Sequence, residues 1–513
     1  MASSGRRGED WWRYGVVYQI YPRSFQDANG DGVGDLAGIV RRLDHLNDGT
    51  PASLGIEAIW LSPFYRSPMV DFGYDVADHC DVDPLFGTLE DVDALLQACH
   101  RRGIRVLIDL VPNHTSDRHP WFVESRSGRD SAKRDWYVWA DPAPDGGPPN
   151  NWRTEFPVRT GTTPAWTIGP RGELEAAVPV EGAAPAWTLD RRTGQYYLHS
   201  FLPQQPDLNW LNPEVGEAMD AVLRFWLDRG VDGFRMDAVH RLGHDPELRD
   251  NVPGEPRRDD DLEVAHDVLR RFRRVLDAYE GAMAVGEAYV LDEERLARFY
   301  GTGDELHLVF DFSFLRQPWS ARSFRDAIER FESVLPPGAW PDWTLSNHDH
   351  PRVATRYGAD GRGAERARLA AMMLLTLRGT PFLYYGDEIG MPDVPVEPVR
   401  RRDPMERDLY RAPMPWELGP NGGFTTGVPW LPMPDPSELN VEGQRANPAS
   451  MLSLVRSLIW YRRRSDALRW GALRLLVTDE DVLAYERRTD HERILVALNF
   501  ADRDVNVPVE DAA

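Results

Sequence analysis

Arg235 and Asp237 stand two residues apart in Val231-Asp-Gly-Phe-Arg-Met-Asp-Ala-Val-His240. On a strand, residues i and i+2 point to one side, so the guanidinium and the carboxylate share a face. A cation within a few ångströms favours the ionised carboxyl, which makes Asp237 a candidate nucleophile. Alone, the pair reads as readily as a structural ion pair at a strand end, because such networks also perturb pKa values. Three other stretches shift that balance: Asp109-Leu-Val-Pro-Asn-His114, Glu287 after the apolar run Met283-Ala-Val-Gly286, and Asn347-His-Asp349. They add Glu287, Asp349, His114 and His348, with no Ser/His or Cys/His set and no three-histidine cluster beside them. A carboxylate nucleophile next to a carboxylic acid kept neutral by an apolar setting suits acetal cleavage with retention, which needs the two carboxyls about 5–5.5 Å apart. Asp349 would raise the acid's pKa further and grip substrate hydroxyls, and the two histidines would donate to those hydroxyls.

Such residues need a frame that brings four chain segments to one mouth. Eight candidate strands occur in order: Val16–Ile20, Glu57–Leu61, Arg105–Asp109, Val231–Met236, Met283–Glu287, Leu306–Asp311, Trp343–Asn347 and Pro381–Tyr385. Helix-length segments lie between them, among them Asp35 to Leu46, Leu89–Arg102, Pro213–Arg229 and Leu262–Tyr279. This alternation predicts a parallel sheet with right-handed crossovers, and eight strands is the number that closes a (β/α)₈ barrel. The expected fold class is therefore α/β, a TIM barrel. Barrel chemistry sits at the carboxyl ends of the strands, where all of these residues fall. Uncompensated carboxylates facing one another destabilise a fold, so this concentration has few structural explanations.

After the third strand the rhythm stops over residues 113–205, which are rich in Pro, Gly and Trp. A stretch this long is no structureless loop, and it is expected to form an inserted domain. Residues 387–448 read as a loop after the last strand and 449–465 as its covering helix. From about 470 the pattern alternates (Leu473–Val477, Val482–Arg487, Ile494–Asn499), which predicts a small antiparallel β domain. The expected division is 11–112 and 206–469 for the barrel, 113–205 for the insert and 470–513 for the C-terminal β domain.

A net charge of −23 argues against a nucleic-acid footprint and against adhesion to anionic membranes. The 42% hydrophobic content and 18 tryptophans support a large packed core. Cys80 and Cys99 are too few for a disulfide framework or a thiolate metal site. With neither a signal-like apolar leader nor a membrane-length apolar run, the chain reads as cytoplasmic, a monomer or homodimer. The segment Asp27-Ala-Asn-Gly-Asp-Gly-Val-Gly-Asp35 is oxygen-rich and glycine-punctuated. Asp27, Asn29, Asp31, Asp35 and the carbonyl of Val33 suit a hard cation, Ca²⁺ or Mg²⁺. An EF-hand is excluded because Gly38 stands where that loop needs Glu and a strand precedes it; a generic polar turn remains the plainer alternative.

The sequence resembles glycoside hydrolase family 13, the α-amylase family, over essentially residues 11–500. The resemblance rests on Asp109-Leu-Val-Pro-Asn-His-Thr-Ser116, Gly233-Phe-Arg-Met-Asp-Ala-Val-His240, Val285-Gly-Glu287 and Leu345-Ser-Asn-His-Asp349, in the family's order. It implies Asp237 as nucleophile, Glu287 as general acid/base and Asp349 as transition-state stabiliser. Arg235, His114 and His348 would bind the sugar in subsite −1. Tyr18-Gln-Ile-Tyr-Pro-Arg-Ser-Phe25, Gln205-Pro-Asp-Leu-Asn209 and Arg407-Asp-Leu-Tyr-Arg-Ala-Pro-Met-Pro-Trp416 resemble the oligo-1,6-glucosidase and α-glucosidase branch. On that resemblance Asp71 and Tyr74 close the non-reducing end of the pocket. Arg407 is the expected partner of Asp71, with Arg411 as the alternative, and Phe156 would be the aromatic wall from the insert.

These readings converge on an exo-acting retaining α-glucosidase with no organic cofactor, trimming short oligosaccharides. Ala238 after the nucleophile favours α-1,4 linkages such as that of maltose, because a valine there goes with α-1,6 preference in the branch. Alternatives are a transglucosylase or sucrose- or trehalose-type isomerase on the same site, an oligo-1,6-glucosidase, and a catalytically dead binding subunit. Retention of all three carboxylates disfavours the last.

Overall fold

The computed structural model describes residues 10–155, 166–176, 184–403, 405–476 and 479–507. Its eight barrel strands, numbered among themselves, are β1 (Val17–Ile20), β2 (Ala58–Leu61), β3 (Arg105–Leu110), β4 (Gly233–Met236), β5 (Met283–Gly286), β6 (Leu308–Val309), β7 (Asp342–Thr344) and β8 (Thr380–Tyr384). They pair in parallel in the order β6-β5-β4-β3-β2-β1-β8-β7. β1, β2, β4, β5 and β8 are buried at every position. That is why they read as mostly apolar runs, broken at Gln19 on β1 and Arg235 on β4, rather than as alternating ones.

Each expected strand is present, with ends displaced by a few residues. The largest difference is the sixth, expected over Leu306–Asp311 and reduced to two residues. Its ladder runs only to β5 (Val285↔Leu308, Gly286↔Val309), and among the described residues no ladder joins it to β7. With a ladder on one side only, extended pairing stops early. The gap is filled by packing instead, with Leu308, Phe310, Phe312, Trp340 and Phe382 in one buried cluster.

Helices cover the barrel, and their ends follow capping chemistry. Asp35 caps Leu36–Leu46 by accepting from the Gly38 amide at 2.6 Å, and Thr88 and Asp91 form a reciprocal capping box on Leu89–Arg101. Asn212 and Pro213 start Pro213–Arg229, and Gly230 ends it at φ 103°. Within β4, Gly233 sits at φ 157°, where a Cβ would lie 2.2 Å from the carbonyl oxygen of Met283. Only glycine lets β4 approach β5 that closely.

The insert after β3 carries an antiparallel sheet of Trp139–Ala140, Gln195–Leu198 and Trp187–Asp190, with a small core of Val138, Trp152, Ala186, Trp187 and Leu198. A separate hairpin pairs Trp166–Ile168 with Leu174–Ala176. At the C-terminal side, Ala472–Leu475, Val482–Arg488 and Arg493–Asn499 form an antiparallel sheet. It is fastened to the barrel by the 2.5 Å contact of the Tyr485 and Thr376 hydroxyls.

Candidate active site

The strand register delivers the first element of the site. Arg235 on β4 lies opposite Asp109 on β3 and Val285 on β5, so its side chain, directed into the mouth, meets acids from both neighbours. Its Nη1 donates to Asp109 Oδ1 at 2.5 Å and to Asp237 Oδ1 at 2.6 Å, while Nη2 donates to Glu287 Oε2. Three carboxyls from three adjacent strands thus share one buried guanidinium. Directly after Asp237, Ala238 adopts φ 45° and ψ 42°, a left-handed conformation that costs a non-glycine residue free energy. The strain turns the chain out of β4 immediately after its carboxylate.

Asp237, Glu287 and Asp349 do not titrate alike. Burial pushes Glu287 up to about 8, outweighing Arg235 and reinforced by the charges of Asp237 and Asp349. Burial also raises Asp237, against the pull of Arg235, but only to about 6. This corrects the expectation that Arg235 would lower it: the guanidinium acts in that direction, yet it is divided among three carboxyls and does not cancel desolvation. Asp349 moves the other way. Burial opposes its ionisation, but His348, Arg407 and Arg411 hold it well below the usual carboxylate range. One acid is therefore kept protonated near neutral pH while two are ionised.

A second layer of ion pairs surrounds Asp71 and Asp349. Arg407 Nη2 donates to Asp71 Oδ1, Nη1 donates to Asp349 Oδ1 at 2.8 Å, and Nε and Nη2 grip Asp403 at 3.0 and 2.6 Å. Arg411 reaches the same Asp349 oxygen at 2.9 Å and the carbonyl of His348 at 2.7 Å. The far oxygen of Asp71 accepts from Gln205 Nε2 at 3.0 Å. Tyr74 stacks on His348 at 5.3 Å and 6°, with its hydroxyl 2.6 Å from His348 Nε2. Gln19 Nε2 meets His348 Nδ1 at 2.8 Å, so the proton sits on Nε2, which faces Tyr74 and Asp349 Oδ2.

Against this geometry stand three comparisons. The model of the α-amylase catalytic domain matches residues 19–471. A probable α-glucosidase of Rhizobium meliloti is 42% identical, over 96% of this chain and 90% of the relative, and an oligo-1,6-glucosidase of Parageobacillus thermoglucosidasius is 36% identical over 96% and 91%. The crystal structure of an α-glucosyl transfer enzyme, XgtA, superposes with a TM-score of 0.86 at 40% identity, covering 98% of this chain and 94% of that one. The chain belongs to the α-amylase family. It is an enzyme of that family, a glycoside hydrolase of the α-glucosidase group.

The α-amylase-family fold brings Asp237, Glu287, Asp349, Arg235, Tyr74, Asp71, His348, Arg407 and Arg411 into one connected network. Arg407 rather than Arg411 meets Asp71, while Arg411 is directed at Asp349 and the His348 carbonyl. His114 is buried against protein, its Nε2 3.2 Å from the carbonyl of Tyr74 and 3.1 Å from Gln205 Nε2. Phe156 lies outside the described residues. Sequence reasoning assigned no role to Asp403, Gln205 or Gln19, and used Asp109 only to mark a strand end. Asp403 stands four residues before Arg407, an acid and a base close in the chain, and Gln19 interrupts an otherwise apolar strand. Both signals were present in the sequence.

The 27–35 loop is laced by its own amides. Asp27 Oδ1 accepts from Asn29 and Gly30 at 2.8 and 2.7 Å, and Oδ2 accepts from Gly32 at 2.8 Å and from the Thr425 hydroxyl at 2.5 Å. Asn29 Oδ1 accepts from Asp31, and Asp31 Oδ1 from Val33. Asp35 divides its oxygens between the amides of Ala28 and Gly38. Among the described residues no three His, Cys, Asp or Glu side chains form a metal cage. The carboxylate and amide oxygens do fit a hard cation in donor type, with Asn29 and Asp31 open to solvent.

Proposed function

We propose that this enzyme is an exo-acting, retaining α-glucosidase that releases α-glucose from the non-reducing end of short α-1,4-linked glucosides such as maltose. The observation that carries the reading is that Asp237 and Glu287, from adjacent strands, meet one buried guanidinium, Arg235, with burial pushing Glu287 up further than Asp237. Asp237 attacks the anomeric carbon while Glu287 gives its proton to the glycosidic oxygen, so the leaving sugar departs neutral. The glucosyl–Asp237 ester is then opened by water, whose proton returns to Glu287. Asp349, kept ionised by Arg407 and Arg411, takes hydroxyls of the bound sugar and stabilises the oxocarbenium-like transition state. Asp71 and Arg407, paired with each other, would take hydroxyls of the terminal glucose and confine cleavage to chain ends.

Supporting the linkage assignment is Ala238, a small side chain after the nucleophile. Likeness to the α-glucosyl transfer enzyme favours a second reading, in which a sugar or alcohol replaces water in opening the ester. A cation at Asp27, Asn29, Asp31, Asp35 and the Val33 carbonyl belongs to this proposal as a structural element, supported by donor chemistry and remote from the carboxyls. The deciding experiment follows products from maltose, isomaltose and sucrose by NMR. Maltose cleaved fastest to α-glucose supports the proposal. Preference for isomaltose or sucrose, or oligosaccharide products in place of glucose, overturns the specificity, and first-formed β-glucose overturns the mechanism.

A further inference from the structure

The hairpin at 166–176 leaves the insert and seats itself on barrel loops. Arg316, after β6, donates from Nε to the carbonyl of Leu174 at 2.8 Å, and the Trp319 amide donates to the carbonyl of Arg171 at 2.6 Å. Leu174 is buried in the cluster that contains Phe310 and Phe312. Gly172, at φ +84°, lies so close to Tyr357 that a Cβ would stand 2.2 Å from the ring. Three anchors on the loops after β6 and β7 hold this hairpin in place.

At its head, Trp166 donates from its indole nitrogen to the carbonyl of Asp349 at 2.7 Å. The ring stacks on His350 at 4.6 Å and 27°, and Phe312 lies 5.3 Å from His350. Tyr289, two residues beyond Glu287, is 6.1 Å from Trp166. The Asp349 amide donates to Asn347 Oδ1 at 2.8 Å, so the peptide groups on both sides of this residue are held. With both peptide groups held, the Asp349 carboxylate meets Arg407, Arg411 and His348.

We propose that Trp166 is a positioning residue for the reaction: its N–H bond to the Asp349 carbonyl and its stack on His350 fix the carboxylate that stabilises the transition state. The inference rests on the role given to Asp349 above. A group that acts mainly in the transition state shows its displacement in kcat rather than KM, and displacements near 1 Å cost on the order of 100-fold. Trp166→Phe keeps a ring on His350 and removes the N–H.

On maltose, Trp166→Phe is expected to lower kcat about tenfold with KM within about twofold, and Trp166→Ala to lower kcat further. Because the charge of Asp349 helps raise Glu287, the alkaline limb of the kcat profile should move to lower pH in both variants, while the Tm of Trp166→Phe stays near that of the parent. Parental kcat and an unmoved limb in Trp166→Phe would overturn the proposal. So would a loss of kcat that merely tracks a fall in Tm with no shift of the limb. Asp349→Asn separates the two levels of inference. If Asp349→Asn stays active, the reading of the site fails and the proposal with it; if Asp349→Asn is dead and Trp166→Phe behaves as the parent, only the role of Trp166 is refuted.

Discussion

Replacing Glu287 with Gln should make this enzyme nearly inactive and more stable. Buried Glu287 starts from 4.5 in an unfolded chain and is pushed up to about 8 in the fold. An acid whose folded pKa is raised binds its proton more tightly in the native state, so it destabilises the fold above its unfolded pKa and not below it. At pH 7 the unfolded chain gains the ionisation that the native site refuses, a cost to folding of about 3 kcal/mol. Gln has the shape of the neutral carboxyl and still offers an oxygen to Arg235 Nη2, yet carries no such cost. A chain of this length melts with an entropy on the order of 1 kcal/mol/K, so the gain corresponds to a Tm rise of about 3 °C at pH 7. Loss of the proton donor should lower kcat on maltose by about 10²- to 10⁴-fold. The assay is thermal unfolding of both proteins in buffers from pH 4.5 to pH 8.5. The difference should be close to zero at the acid end, grow with pH and level off above the folded pKa. A Tm at or below the parent's at pH 7, or a difference that does not change with pH, would refute the argument that burial keeps Glu287 protonated.

Asp237→Ala should abolish turnover of maltose while circular dichroism and melting stay close to parental values; undiminished activity would remove Asp237 from the role of nucleophile. Arg407→Ala strips a partner from Asp71, Asp349 and Asp403 at once. Breaking a buried ion pair costs about 3–5 kcal/mol, so the variant should melt several degrees lower and lose activity on maltose, and a parental Tm would show that Arg411 takes over the network. Chelation with EDTA should lower Tm more than it lowers kcat, with Ca²⁺ restoring the Tm, because the 27–35 loop caps the first barrel helix and does not line the site. Equal fractional loss of both would reject that role.

Much of the site was legible because family motifs place acids at strand ends, and strand ends meet in a barrel whatever the details of packing. Arg235 and Asp237 could be put on one face from spacing alone, and Glu287 could be read as neutral from the apolar run before it. The direction of the Asp237 shift was not legible. A sequence shows that Arg235 is near but not that Asp109 and Glu287 compete for the same guanidinium. For His114 the motif marks a sugar-facing position, and the structure adds what no local pattern shows, that its Nε2 lies near the Tyr74 carbonyl and Gln205 Nε2. The C-terminal sheet and the barrel helices were readable to within a few residues, since period and caps are local. The shortness of β6 was not, since it depends on whether β7 pairs with it.

The sequence by itself determined the barrel, the insert after β3 and the chemical types gathered at the mouth. These follow from hydrophobic period and from the order of short motifs, both of which survive without coordinates. Only the tertiary structure decided how charge is shared: which arginine takes Asp71, why Asp349 stays ionised while Glu287 does not, and that Trp166 from the insert reaches the backbone of Asp349. Those outcomes depend on distance and burial across segments from 52 to 336 residues apart, which no local pattern encodes.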